Sequence, residues 1–308
     1  MKKKLIFILK CILLCFVLFY FCFFIVMPQY TINFQASLND KNDRLLQTEG
    51  PKIVLVGNSN LVFGIQSNLI EEAFQMPIIN MGLHGGVGNA FNEQAAVQNV
   101  DEGDVVILSI SNFADDDNIK NPKLVWITIE NHLKLYRYIR MKDWPTMAKA
   151  YPTYLKSCLE HFVMGTGNRD SGDLYSRNQF NEYGDSSAER LSYQEVEEPY
   201  NITIPSINET TIQRLNQLNE TVTSQGGTLL LASYPVMLND STPSKEEYAK
   251  FTKELNEKLE FPVISKFEDY QLDQSLFYDT YLHLTNEGAN IRTNLLIKDL
   301  KGYLEEMK

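Results

Sequence analysis

From Leu5 to Met27 the chain runs 23 residues with a single charge, Lys10, and no other stretch constrains its folding as strongly. At the helical rise of about 1.5 Å per residue the run covers roughly 34 Å, enough to cross the hydrocarbon layer of a bilayer. A cleaved signal peptide has a shorter apolar region, about 7–15 residues, ending in small residues. Here Phe23-Phe24-Ile25-Val26-Met27 leads into Pro28-Gln29-Tyr30 with no Ala-x-Ala pattern, so residues 1–27 read as an uncleaved transmembrane signal anchor. Lys2, Lys3 and Lys4 precede the span. By the positive-inside rule the amino terminus stays cytoplasmic and the body is exported, which places it at a cell membrane as a single-pass, extracytoplasmic protein.

Charge follows the same division. Four lysines and no acid lie in residues 1–27, so 24 of the 28 basic residues face all 39 acidic ones elsewhere, and residues 28–308 carry −15. Phosphate contacts need a basic face, so nucleic acid and anionic lipid are not expected partners. A composition 44% hydrophobic and 22% charged excludes a disordered chain. Cys11, Cys15 and Cys22 lie in the apolar run, leaving Cys158 alone in the body without a partner for an intrachain disulfide.

Residues 28–50, ending in Glu49-Gly50-Pro51, read as a polar stalk. Beyond it, short apolar runs at 52–56, 77–81, 104–110, 228–234 and 261–264 alternate with amphipathic segments at 67–74, 89–100, 210–223, 244–259 and 287–306. Near-continuous apolar strands between helices predict an α/β, three-layer (flavodoxin-like) fold with a mostly parallel sheet. Its ligand site belongs at the carboxyl ends of the strands. No buried strand is evident across 115–200, which reads as a helical insertion after the third strand, either a lid or recognition subdomain over that edge or a cap that completes the core. Its Trp126, Trp144 and tyrosines fit core packing better than stacking on sugar rings.

Four histidines limit the choice of a general base. His132 and His161 read as helix-surface or core residues. His84 sits in Asn80-Met81-Gly82-Leu83-His84-Gly85-Gly86-Val87-Gly88, where glycines allow close backbone approach to a ligand. His283 follows Asp279 by four positions in a loop just before a helix. A serine hydroxyl needs a base to take its proton, and the base needs a carboxylate to hold its tautomer. Ser59, just past the first strand in Val56-Gly57-Asn58-Ser59-Asn60, is the natural serine, with Gly57 permitting a sharp turn. Oxyanion donors would be the Ser59 N–H, an N–H from the 82–86 loop, and Asn112 after the third strand, which equally suits an ordinary turn cap.

This ordered set, Gly-Asn-Ser after strand one, the glycine loop after strand two, Asn after strand three and the late Asp-to-His couple, resembles the four sequence blocks of the SGNH (GDSL-like) hydrolase superfamily over most of 51–306. More closely, the stretches 57–65, 177–185 and 281–285 resemble membrane-anchored SGNH-like proteins associated with bacterial surface polysaccharides. The resemblance makes 51–308 an SGNH-like domain and implies a serine acyl-esterase or O-acyltransferase acting on an acylated surface carbohydrate, in some relatives beside a multispanning membrane acyltransferase. It implies Ser59 as nucleophile, His283 as base, Asp279 as its orienter, and Ser59, Gly82 and Asn112 as oxyanion donors. Asn60, His84, Gly86 and Tyr183 are the substrate-binding expectations. Asn58 stands where the superfamily commonly has Asp, Ser-Asn replaces Gly-x-Asn-Asp, and three residues, not two, separate Asp279 from His283. These departures motivate the alternative of a non-catalytic SGNH-like protein that binds polysaccharide during export. No Cys pair or His-x-x-x-His suggests a metal, and no cofactor is expected. The acidic triplet Asp115-Asp116-Asp117 reads as a solvated loop and not as a calcium site.

Overall fold

The computed structural model describes residues 2–114, 118–170, 172, 174–194 and 200–306. The triplet Asp115-Asp116-Asp117 lies outside the described residues, as does part of the expected insertion. Helix α1 (Lys2–Phe21) continues through a π-helical turn, Cys22–Val26, to give a helix of 25 residues with an 18-residue window of mean hydropathy 2.8, long enough and apolar enough to span a membrane.

The stalk expected over 28–50 is absent, because α2 (Ser37–Gln47) fills that stretch and packs into the body. Leu38 and Leu45 are buried at helical spacing, and Lys41 and Asn42 are buried on the same face. These polar residues read as solvated in sequence, but each has a distant partner: the Lys41 ammonium reaches the Gly82 carbonyl at 2.5 Å, and Asn42 accepts from the Tyr138 hydroxyl.

Four parallel strands follow in the spatial order β2-β1-β3-β4: β1 (Ile53–Gly57), β2 (Ile78–Asn80), β3 (Val105–Ser109) and β4 (Thr228–Leu231). Ile53 lies opposite both Ile78 and Val105. Val54 and Val56 join one apolar cluster while Ile53 and Leu55 join another on the opposite face. Burial on both faces explains why these strands read as unbroken apolar runs. The run at 261–264 is a single bridge, Leu231 to Val263, since Pro262 has no N–H to donate to a ladder. Two three-residue strands, β5 (Val236–Leu238) and β6 (Gln271–Asp273), pair in parallel as a separate ribbon.

The helices between them are α3 (Ser59–Val62), α4 (Ser67–Phe74), α5 (Asn89–Ala96), α6 (Pro122–Ile129), α7 (Trp144–Met164), α8 (Glu209–Ser224), α9 (Lys245–Lys258) and α10 (Asn286–Glu306). Within the insertion, α6 and α7 pack on each other, and Val125, Trp126, Tyr154 and Cys158 are continuous with the core on the Val54 face of the sheet. The Trp126 indole N–H donates to the Met147 carbonyl, and its ring meets Tyr136, Tyr151 and Tyr154. The helical part of the expected lid is therefore a cap that completes the core, and its aromatic stripe is packing.

Candidate active site

Ser59 is the first residue of α3, directly beyond β1, and Asn58 caps that helix by accepting from the Asn60 N–H at 3.1 Å. Gly57 serves this junction by close approach and not by a left-handed turn. A Cβ there would stand 2.2 Å from the Ser109 carbonyl oxygen on the neighbouring strand. Asn58 also donates to the Ser111 hydroxyl at 3.0 Å, tying the ends of β1 and β3 together at one rim.

The second half of the site is a tight loop. Phe277 and Leu284 bridge antiparallel, Tyr278 N–H donates to the His283 carbonyl at 2.8 Å, and the Thr280 hydroxyl accepts from the N–H groups of Leu282 and His283. This closed turn accommodates the three intervening residues and sets Asp279 beside His283. The Leu284 N–H donates to the Phe63 carbonyl at 3.1 Å, pinning the loop to the end of α3.

His283 Nδ1 then lies 2.8 Å from Asp279 Oδ1, and His283 Nε2 lies 2.9 Å from Ser59 Oγ. A carboxylate only accepts, so Nδ1 carries the proton and Nε2 is left to accept from the serine hydroxyl. Burial works to raise the Asp279 pKa, but the hydrogen bond and charge of His283 and the Tyr175 hydrogen bond outweigh it and hold the carboxyl below its usual range. His283 is nearly buried, its ring centroid 4.4 Å from that of Phe63.

Two tyrosines complete the carboxylate's surroundings. Tyr175 donates to Asp279 Oδ2 at 2.6 Å and Tyr200 to the Asp279 carbonyl at 3.1 Å. Neither was singled out in the sequence, where they stand in polar tracts with no periodicity to mark them.

Several expected residues serve other ends. Gly82 lies against Asn58 and Leu61, but its N–H is committed to Asn80 Oδ1 at 2.9 Å, so it is not available as an oxyanion donor. Asn60 is fully buried and cannot meet a substrate. It accepts from Arg292 through its carbonyl at 2.5 Å and through Oδ1 at 2.7 Å, beneath the serine. Tyr183 donates to Glu71 at 2.6 Å and stacks under Arg44, packing against the opposite side of the sheet from the glycine loop's cluster. His84 is exposed, but its Nδ1 accepts from Gly86 N–H at 2.9 Å, which engages both residues with each other. Asn112 is exposed and its Oδ1 caps the Ala114 N–H, the turn-cap role, while its Nδ2 has no partner among the described residues. His161 bonds Thr166, away from this loop.

A cavity of about 270 Å³ has a lining that includes Asn112, Thr203, Tyr234, Tyr248 and Tyr281, the last from the loop between Asp279 and His283. The Tyr281 ring meets that of Tyr200 at a tilt, 5.1 Å between centroids, and Tyr200 bonds the Asp279 carbonyl, so this cavity adjoins the Asp279 loop. Among the described residues no three His, Cys, Asp or Glu side chains converge as metal ligands. Chemically, the arrangement can lower the barrier for removing a proton from the Ser59 hydroxyl.

No family model matches the chain, and no curated protein matches it. The solved structure of protein YxiM from Bacillus subtilis is similar to it over 83% of this chain and 57% of that one, at 10% identity and a TM-score of 0.36. The match thus spans a little over half the length of that protein.

Proposed function

We propose that the protein is a membrane-tethered, extracytoplasmic serine acyl-esterase or O-acyltransferase of the SGNH type, acting on an acylated cell-surface carbohydrate. The observation that carries this reading is the unbroken line of hydrogen bonds from Ser59 through His283 to Asp279. Ser59 Oγ attacks the ester carbonyl as its proton passes to His283 Nε2. The tetrahedral anion collapses, the C–O bond to the sugar breaks, and His283 returns the proton to the departing hydroxyl. Water or a second hydroxyl then takes the acyl group from Ser59 by the same steps in reverse. The Ser59 N–H, which has no partner among the described residues, and Asn112 Nδ2 are the donors for the anion.

In this reading the sheet is the middle layer of a three-layer, flavodoxin-like fold, α1 crosses the membrane with Lys2, Lys3 and Lys4 in the cytoplasm, and a multispanning acyltransferase is a fitting partner. A fluorophosphonate probe on the folded full chain tests it. Stoichiometric labelling at Ser59, lost in Ser59→Ala together with turnover of an acetylated sugar, supports the enzyme.

The commitment of the Gly82 amide to Asn80 favours a second reading, a polysaccharide-binding protein of the same fold without catalysis. Folded protein that is inert to the probe but retains a polysaccharide supports that reading.

A further inference from the structure

We propose that the carboxyl-terminal end of α7 is a second membrane contact, seated among the acyl chains of the leaflet on the body's side, directly beside α1. The proposal rests on the reading that α1 spans the bilayer.

Depth follows from helical rise. Counted from Leu5, the first residue after the lysines, a hydrocarbon layer of about 30 Å takes roughly 20 residues and ends near Phe24. Phe21 is therefore inside the apolar layer by about one turn. The ring of Phe162, on α7, meets the ring of Phe21 edge-on, 6.1 Å between centroids. The end of α7 thus stands at the depth of the last turn of α1.

Its surface suits that position. Leu159, Phe162, Val163 and Met164 are exposed by 51%, 39%, 74% and 69%, four large apolar side chains within six residues that the body leaves partly or mostly uncovered. In water such a cluster is unfavourable, and at membrane depth it is matched by lipid tails. With a body carrying −15, the attraction is apolar and not electrostatic.

The junction is rigid enough to hold this relation. Phe23, Val26 and Met27 are buried in the body's own core, and Gln29 and Tyr30 donate their N–H groups to Glu130. Beyond α7, Asn168 donates to the carbonyls of Pro28 and Gln29 at 2.6 and 2.9 Å. Span and α7 are fastened at both sides of the membrane boundary, so the body keeps one height and one orientation above the lipid.

The test uses the full chain in phosphatidylcholine vesicles with and without brominated acyl chains, reading the tryptophan emission added to the baseline of Trp126 and Trp144. Leu13→Trp reports the anchor and Val163→Trp, at an exposed site that tolerates the larger ring, reports α7. Blue-shifted emission from both, quenched to a similar extent by the brominated tails, is the expected result. Quenching of Leu13→Trp alone, with Val163→Trp solvent-like, overturns the α7 contact and leaves the anchor standing. A blue-shifted but unquenched Val163→Trp means a protein surface covers the patch and also overturns it. An unquenched Leu13→Trp overturns the anchor and the contact together.

Discussion

The Tyr175 hydroxyl donates at 2.6 Å to Asp279 Oδ2, the carboxylate oxygen that His283 leaves free. Both oxygens of the group that orients the base are therefore occupied, one from the loop itself and one from the insertion. Asp279→Asn should reverse the hydrogen-bonding preference at His283 Nδ1 and lower kcat by on the order of 10³–10⁴-fold. Tyr175→Phe keeps the couple and removes one bond to a charged acceptor, with a loss of about 5–10-fold. Because Tyr175 helps hold the Asp279 pKa down, the acid limb of the pH–rate profile should move to higher pH in Tyr175→Phe. Equal losses in the two variants would contradict this division of roles.

Gly57→Ala tests why a glycine precedes the serine turn. Its Cβ would stand 2.2 Å from the Ser109 carbonyl, so β1 and β3 must separate, at about 1–3 kcal/mol. Chemical denaturation should register that loss, and probe labelling of Ser59 should fall with it. Unchanged stability would show that the strands yield freely.

Arg292 is buried beneath Ser59, its pKa lowered to about 9 by burial, and donates to Asn60, to the Ser109 hydroxyl at 2.9 Å and to the Ser233 carbonyl at 3.2 Å. Arg292→Met leaves several buried acceptors without this donor and should destabilise by about 3 kcal/mol or more. Arg292→Lys should recover only part, since one ammonium cannot reproduce the planar fork. A Met variant as stable as the parent would mean water replaces the guanidinium.

Glu130 supplies the pH dependence. Burial raises its carboxyl pKa from about 4.5 to about 7, with the N–H groups of Tyr30 and Gln29 pulling in the opposite direction. Between those values the folded state binds more protons at this group than the unfolded one, so the stability that Glu130 contributes is fully present below about pH 4.5 and is lost as pH rises to about 7. The decline attributable to this group is on the order of 1–3 kcal/mol. Glu130→Gln should flatten the profile in that window, which thermal unfolding across the range would reveal. A profile that keeps its slope without the carboxyl would assign the effect elsewhere.

What could be read from sequence differs by element for a physical reason. The strands 53–57, 78–80, 105–109 and 228–231 were visible because burial on two faces demands unbroken apolar residues. Strands β5 and β6, three residues each, are too short to show any period. Helix α2 reads as a stalk because Lys41 and Asn42 lie on its buried face, and a buried lysine becomes tolerable only when a carbonyl from another part of the chain receives it. Asn60, a substrate-binding expectation, is turned inward by α3 to Arg292, 232 positions away.

By itself the amino-acid order determined the apolar span, the alternation of strand and helix, and the nomination of Ser59, Asp279 and His283, since each depends on local pattern or on the chemistry of a residue type. Folding alone decided that Ser59 and His283, 224 positions apart, stand 2.9 Å from each other, that Tyr175 takes the last carboxylate oxygen, and that Gly82 spends its N–H on Asn80. Hydrogen bonds act over a few ångströms while chain separation carries no record of distance, so which donor meets which acceptor is settled only when the core brings remote segments together.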